Sequence, residues 1–157
     1  MNVSNSVPQP TRVLIVEDNP VDVHLVRLAL EEERAWPTES VVTADGEKAI
    51  DFLLRRGSFS HAERPHLVIL DLNLPKRDGT EVLQVIRTTD SLQNLAVAIL
   101  SSSPKDVIRS KVHHARVEAN CYFTKPVDAD AFLALGSALR RCYEKSRIPR
   151  PDSYPGN

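Results

Sequence analysis

Short aliphatic or β-branched runs alternate with longer stretches of helical period from Thr11 onward. This alternation is typical of a parallel sheet that is covered by helices on both faces. The first, third and fourth runs have little alternation between apolar and polar residues, as expected of central strands buried on both faces. The sequence therefore predicts one α/β domain with five pairs of strand and helix. The runs are VLIV (13–16), SVVTA (40–44), LVIL (67–70), VAIL (97–100) and CYFT (121–124).

Capping residues and apolar stripes place the helices between these runs. Asn19-Pro20 predicts the start of the first helix, with Asp22 near the positive end of its dipole. Ser103-Pro104 is expected to cap the fourth helix, and Asp128 to start the fifth. The apolar stripe of the fifth helix recurs every three to four residues, which predicts that this helix docks on the sheet. The stripe consists of Phe132, Leu135, Leu139 and Tyr143.

Composition narrows the class of protein. The 157 residues are 41% hydrophobic and 26% charged, with a net charge of -1. The chain has no excess of basic residues, so its charge does not indicate a nucleic-acid partner. The apolar runs are too short to span a bilayer and the N-terminus lacks signal-peptide features, which predicts a cytoplasmic protein without membrane association. We expect tails at residues 1–10 and 147–157, the second rich in proline, around one domain at 11–146. Cys121 and Cys142 are too far apart for a redox or zinc motif, so we expect two reduced thiols.

Polar side chains follow four of the five predicted strands. In open parallel sheets, ligands bind beyond the carboxyl ends of the strands, where the strand order reverses. For the order 2-1-3-4-5 this reversal lies between the first and third strands, which brings three acids together. The residues concerned are Glu17 and Asp18 after the first strand, Asp71 after the third, Ser101 after the fourth and Lys125 after the fifth.

These three acids require a counter-charge. Two unit charges about 4 Å apart repel by about 4 kcal/mol at an effective dielectric near 20. Mg²⁺ fits this requirement because it binds one or two carboxylates and leaves positions for a phosphoryl oxygen, whereas zinc would call for histidine or cysteine. Lys125 offers a further positive charge, and Asp71 is placed to act as a nucleophile toward phosphorus. Each acid alone could be a solvated loop residue, but their coincidence on one sheet edge favours a site.

The quoted runs and their flanking residues together resemble a response-regulator receiver domain. The resemblance covers about Thr11 to Ser146 and implies a (βα)5 doubly wound, flavodoxin-like parallel sheet of order 2-1-3-4-5. It implies a two-component signalling protein that is not an enzyme but assists its own aspartyl phosphorylation. The motifs are VLIVEDNP, ILDLNLPKRDG, AILSS and YFTKP.

The resemblance assigns roles to the residues at the sheet edge. It implies that Asp71 is the phosphoacceptor and that Asp18 and Asp71 ligate Mg²⁺ directly. Glu17 would bind the ion largely through water, and the backbone carbonyl of Asn73 would complete the protein ligands.

Three further residues would couple phosphorylation to an output. Ser101 would bond one phosphoryl oxygen and Lys125 another, while Tyr122 lies at the switch position of the family. The phosphoryl donor implied is a phosphohistidine on a sensor histidine kinase. The phosphorylated product would bias a two-state surface around the fourth helix, the fifth strand and the fifth helix.

Within that family, the chain looks like the single-domain regulators that partner phytochrome-type histidine kinases. The features are the EDNPVD start, the ANCYFTKP segment, the long loop before the third strand and an extended C-terminus. This likeness implies a red-light-sensing kinase as partner. It also implies a homodimer, formed through the fourth helix, fifth strand and fifth helix or through the C-terminal tail.

Two other functions compete with this interpretation. A haloacid-dehalogenase-like phosphatase also uses an aspartate after a parallel strand, but it needs an acid two residues later, and that position is Asn73. The alternative is a receiver-fold binding module that switches without phosphate. The presence of Asp71, Ser101 and Lys125 argues against this module.

Overall fold

Five parallel strands form one sheet in the order β2-β1-β3-β4-β5, in a computed structural model that describes residues 8–148. This order confirms the predicted doubly wound topology. Two strands match their predicted runs, and the other three differ from them by one or two residues at their ends. The strands are β1 (Thr11–Val16), β2 (Thr38–Thr43), β3 (Leu67–Leu70), β4 (Ala96–Ser101) and β5 (Cys121–Thr124).

Helices cover both faces of the sheet. Alternate residues of each strand point to opposite faces, so Val13 and Ile15 pack beneath α1 and the C-terminal helices, while Leu14 and Val16 pack beneath α2, α3 and α4. The two apolar layers explain why the central strands read as continuous hydrophobic runs. The helices are α1 (Pro20–Glu32), α2 (Gly46–Leu53), α3 (Gly79–Thr88), α4 (Lys105–His114), α5 (Ala129–Leu133) and α6 (Leu135–Ser146).

Helix starts follow the capping pattern in two of the three predicted places. The Asn19 side chain accepts hydrogen bonds from the backbone at the start of α1, and Asp128 accepts one from Asp130 at the start of α5. The fourth helix starts where Ser103-Pro104 predicted, with Pro104 at the cap position, but no side-chain hydrogen bond caps it. Ser103 instead donates its backbone N–H to the Ser101 hydroxyl at 3.4 Å.

The predicted fifth helix is two helices that meet at Ala134. Ala134, with a φ of -66° and a ψ of -14°, is both the last cap residue of α5 and the first cap residue of α6. In α6, Gly136 lies so close to α1 that a Cβ atom would stand 2.1 Å from the Ala29 carbonyl oxygen. The apolar stripe continues across the break, so periodicity alone did not reveal it.

The cysteines contradict the prediction of two reduced thiols. Cys121 and Cys142 form a disulfide that joins β5 to α6, with their Cα atoms 6.1 Å apart. The sequence gives no sign of this pairing because 21 residues separate the two cysteines, and only the docking of α6 on the sheet brings them together.

The predicted tails at 1–10 and 147–157 lie largely outside the described residues, and the boundaries at 11 and 146 stay predictions. Across residues 8–148, no helix has the length and apolar character needed to cross a membrane.

Candidate phosphoacceptor site

Backbone hydrogen bonds hold the carboxyl ends of the strands in register. Beyond β3, the Asp71 N–H donates to the Val16 carbonyl at 3.0 Å. Beyond β5, the Lys125 N–H donates to the Ser101 carbonyl at 2.7 Å. Glu17 likewise bonds β2 directly after β1 ends. The residues that carry the candidate chemistry are therefore fixed by the sheet rather than by loops.

The structure brings the three predicted acids together. One carboxylate oxygen from each of Glu17, Asp18 and Asp71 lies within 4.8 Å of the others. Glu17 and Asp71 are buried, whereas Asp18 is exposed and leaves the group open to solvent. A cluster of carboxylate oxygens without sulfur or imidazole matches the preference of a hard divalent cation, so the donor set fits Mg²⁺.

Lys125 contacts two of these acids and a further carboxylate, that of Asp22. Its Nζ lies 2.7 Å from Glu17 Oε2, 3.0 Å from Asp71 Oδ2 and 2.8 Å from Asp22 Oδ2. Burial alone would lower the pKa of Lys125, but the hydrogen bonds to the three carboxylates outweigh it and raise that pKa above its usual value. The ammonium therefore stays charged and offsets part of the acid cluster.

Glu17 responds to the same surroundings in the opposite direction. Its burial raises its pKa to about 7, and the nearby Asp71 carboxylate adds to this effect. The hydrogen bonds from Lys125 and from the Asn19 backbone act against the rise without cancelling it. Without a divalent cation, Glu17 therefore takes up a proton near neutral pH.

The loop after β3 holds the Asp71 carboxylate in place. Asp71 Oδ1 accepts a hydrogen bond from the Asn73 N–H at 3.1 Å, while Oδ2 accepts one from Lys125. Gly79, the first residue of α3, packs so closely that a Cβ atom would lie 2.3 Å from the Asp71 carbonyl oxygen. Asn73 itself is exposed, and its side-chain oxygen accepts a hydrogen bond from Lys111 at 3.3 Å.

Ser101 lies at this edge and Tyr122 lies within β5, and neither bonds Asp71 among the residues described. Ser101 is buried as the last residue of β4. The half-buried Tyr122 ring packs against the core beneath α2, α3 and α4, and its hydroxyl accepts a hydrogen bond from the Ala119 N–H at 3.0 Å. The Arg109 guanidinium lies 5.7 Å from the centre of the ring.

Asp22 is a member of the site that the sequence motifs did not predict. Its predicted role was only that of an acid near the positive end of the α1 dipole, yet its carboxylate contacts Lys125. The signal that could have found it is its position: Asp22 lies four residues after Asp18, in the first turn of a helix that begins beside the acid cluster.

Comparison with known proteins decides the family. A model of the response regulator receiver domain matches residues 13–135. The chain belongs to this family. The match confirms the resemblance seen in the sequence motifs.

Individual receiver proteins are similar over most of the chain. Response regulator Rcp1 of Synechocystis sp. (strain ATCC 27184 / PCC 6803 / Kazusa) is 38% identical over 125 residues, which are 78% of this chain and 82% of Rcp1. The crystal structure of the phosphorylated cyanobacterial phytochrome response regulator RcpA has a TM-score of 0.79 at 31% identity, and covers 89% of this chain and 98% of RcpA. The crystal structure of the Mn²⁺-bound form of Rcp1 has a TM-score of 0.77 at 30% identity, and the match covers 90% of this chain and 99% of Rcp1.

Proposed function

We propose that this receiver protein accepts a phosphoryl group on Asp71 from a sensor histidine kinase and thereby switches a protein-interaction surface. The observation that carries the proposal is the setting of the Asp71 carboxylate. It is only 6% exposed, bonds Lys125 and the Asn73 N–H, and lies within 4.8 Å of Glu17 and Asp18 oxygens. A nucleophile held between an ammonium and two further acids is suited to phosphoryl transfer.

The transfer needs positioning and charge neutralisation more than covalent assistance. A carboxylate oxygen of Asp71 attacks the phosphorus of a phosphohistidine, so that an O–P bond forms as the N–P bond breaks. The imidazole leaves with the electron pair of the broken bond. Lys125 donates a hydrogen bond to one phosphoryl oxygen and Ser101 to another. The protein thus assists its own phosphorylation, and it acts as a phosphoacceptor rather than as an enzyme with turnover.

Four residues would hold the metal ion: Glu17, Asp18, Asp71 and the backbone carbonyl of Asn73. Bound Mg²⁺ would offset negative charge on the phosphoryl oxygens during transfer. The oxygen-only donor set supports this assignment. The Mn²⁺-bound form of the similar protein Rcp1 supports a divalent cation in this family.

The output would pass through Ser101 and Tyr122. A phosphoryl group on Asp71 gives Ser101 a new hydrogen-bond partner, and its movement would leave room for Tyr122 to turn inward. Such a turn would break the hydrogen bond from the Ala119 N–H and the contact with Arg109. These contacts lie beside α4 and β5, so the change would alter the surface formed by α4, β5 and α5.

The proposed kinase partner is of the phytochrome type, because RcpA is a phytochrome response regulator and Rcp1 resembles this chain over most of its length. We further propose that the protein works in the cytoplasm as a homodimer. The contact would use the surface of α4, β5 and α5, or the tail at 147–157. Nucleic acid and membrane are not proposed as partners.

The test of the function is intact mass after incubation with acetyl phosphate and Mg²⁺. We expect wild type and the control Asp90→Asn, an exposed aspartate, to gain one phosphoryl group, and Asp71→Asn or metal-free protein to gain none. A phosphoryl gain in Asp71→Asn would refute the assignment of the acceptor. Failure of wild type with both acetyl phosphate and a phosphorylated phytochrome-type kinase would favour the binding module that works without phosphate.

A further inference from the structure

Within residues 8–148, Asp22 is the one partner of Lys125 that has no part in the proposed chemistry. Lys125 Nζ contacts the carboxylates of Glu17, Asp71 and Asp22 at nearly equal distances. Glu17 and Asp71 also belong to the acid cluster that would hold the cation, whereas Asp22 does not. Glu17 and Asp71 would therefore bind the cation in addition to Lys125, whereas the described contacts of the Asp22 carboxylate are with Lys125.

In the proposed reaction, those two carboxylates would engage the cation and the phosphoryl group as well as Lys125. The oxygens of Glu17 and Asp71 would bind the cation, and phosphorylation would convert the Asp71 carboxylate into an acyl phosphate, whose carboxyl oxygens carry less negative charge and attract the ammonium less. The ion pair between Asp22 and Lys125 spans 2.8 Å and is partly shielded, with side chains 21% and 10% exposed. It can persist through both events.

The rest of the structure leaves the Asp22 carboxylate available for this task. The Asn19 side chain caps α1 by accepting hydrogen bonds from the Val21 and Asp22 N–H groups, so the Asp22 side chain is not needed as a cap. Lys125 is anchored at its backbone by the hydrogen bond to Ser101. With its backbone fixed and its ammonium paired with Asp22, the flexible Lys125 side chain is held in one position.

We propose that Asp22 is a positioning residue, which holds the Lys125 ammonium beside Asp71 while the cation and the phosphoryl group engage the other two carboxylates. This inference rests on the proposed function, since it concerns the same transfer to Asp71. It adds to that function Asp22, a residue of α1 that lies outside the acid cluster.

A double-mutant cycle tests the role. At saturating Mg²⁺, we expect Asp22→Asn to slow phosphorylation by acetyl phosphate about tenfold. In a Lys125→Met background, the same substitution should change the rate less than about twofold, because the group it positions is gone. Asp22→Glu, which keeps the carboxylate, should recover most of the rate.

The matched control is Asp106→Asn, which removes the acid from the first turn of α4 and so repeats the change in helix dipole. We expect the wild-type rate for this variant. An effect of Asp22→Asn that is equally large with and without Lys125 would overturn the proposal, because Asp22 would then act only on α1.

A second readout does not depend on phosphorylation. In ¹⁵N-labelled protein saturated with Mg²⁺, the side-chain ammonium of Lys125, assigned by its loss in Lys125→Met, should give a sharp, slowly exchanging NMR signal. We expect this signal to remain in Asp106→Asn and to broaden or vanish in Asp22→Asn. Its persistence in Asp22→Asn, or its absence from wild type, would contradict the inference. If wild type accepts no phosphoryl group, the proposed function fails, and this spectrum still decides whether Asp22 holds Lys125.

Discussion

Replacing Lys125 with methionine removes the only positive side chain that contacts the acid cluster among the described residues, at similar length and volume. Its side chain is 10% exposed and pairs with carboxylates at 2.7, 2.8 and 3.0 Å. Glu17 and Asp71, 5% and 6% exposed, would then repel each other without compensation. Removing one partner of a buried ion pair costs about 3–5 kcal/mol. Because Glu17 can take up a proton, we expect the lower end of that range, about 3 kcal/mol at about pH 8 without metal.

The cation makes this prediction specific to the site. Saturating Mg²⁺ supplies positive charge to the same carboxylates, so we expect the loss of stability in Lys125→Met to fall to about 1 kcal/mol. Without this dependence on Mg²⁺, a loss of stability would report only on packing.

The assay is urea unfolding followed by fluorescence of Trp36, the single tryptophan, which is buried and stacked on Tyr143 at 5.6 Å. The matched control is Lys76→Met, since Lys76 is 59% exposed and lies 3.7 Å from Asp45. Because the ammonium of this pair is exposed and 3.7 Å from the carboxylate, we expect the pair to contribute less than about 1 kcal/mol, although Asp45 itself is buried. Equal stability of the two variants without metal, or a gap that Mg²⁺ leaves unchanged, would refute the reasoning.

Three other expectations follow from burial and contacts. Because Glu17 has a pKa raised from 4.5 to about 7, the folded protein binds more protons than the unfolded chain in that window. Metal-free stability should therefore fall as pH rises from about 4.5 to about 7, and Glu17→Gln should flatten the profile measured by urea unfolding. Gly79→Ala should cost about 3 kcal/mol in the same assay because its Cβ would collide with the Asp71 carbonyl, whereas Gly57→Ala, with open space but a φ of +57°, should cost about 1 kcal/mol. Under denaturing conditions without reductant, a thiol-alkylating reagent should leave Cys121 and Cys142 unmodified by mass, and two additions would contradict the disulfide.

The sheet could be predicted from the sequence because its signal is local. Buried strands such as β3 consist of continuous apolar runs, and the polar residue directly after each strand is necessarily at the carboxyl edge. The break at Ala134 and the disulfide between Cys121 and Cys142 depend instead on how α6 docks. Neither alters the periodicity that sequence analysis uses.

The candidate site could likewise be predicted only where its residues directly follow strands. Glu17, Asp71 and Lys125 were found because strand ends place them in one crevice. Asp22 was missed because it reaches the crevice from a helix and contacts a residue 103 positions away. The raised pKa of Glu17 could not be predicted either, since it follows from a burial that only the folded structure defines.

The most direct test of the account is to locate the phosphoryl group by chemistry. Borohydride reduces an acyl phosphate of aspartate to homoserine, which peptide mass spectrometry identifies at single-residue level. After incubation with acetyl phosphate and Mg²⁺, we predict homoserine at position 71 alone, and none when a chelator removes the metal. Homoserine at Asp18 or Asp22 in place of Asp71, or none at any position in protein that has gained a phosphoryl group, would contradict Asp71 as the acceptor.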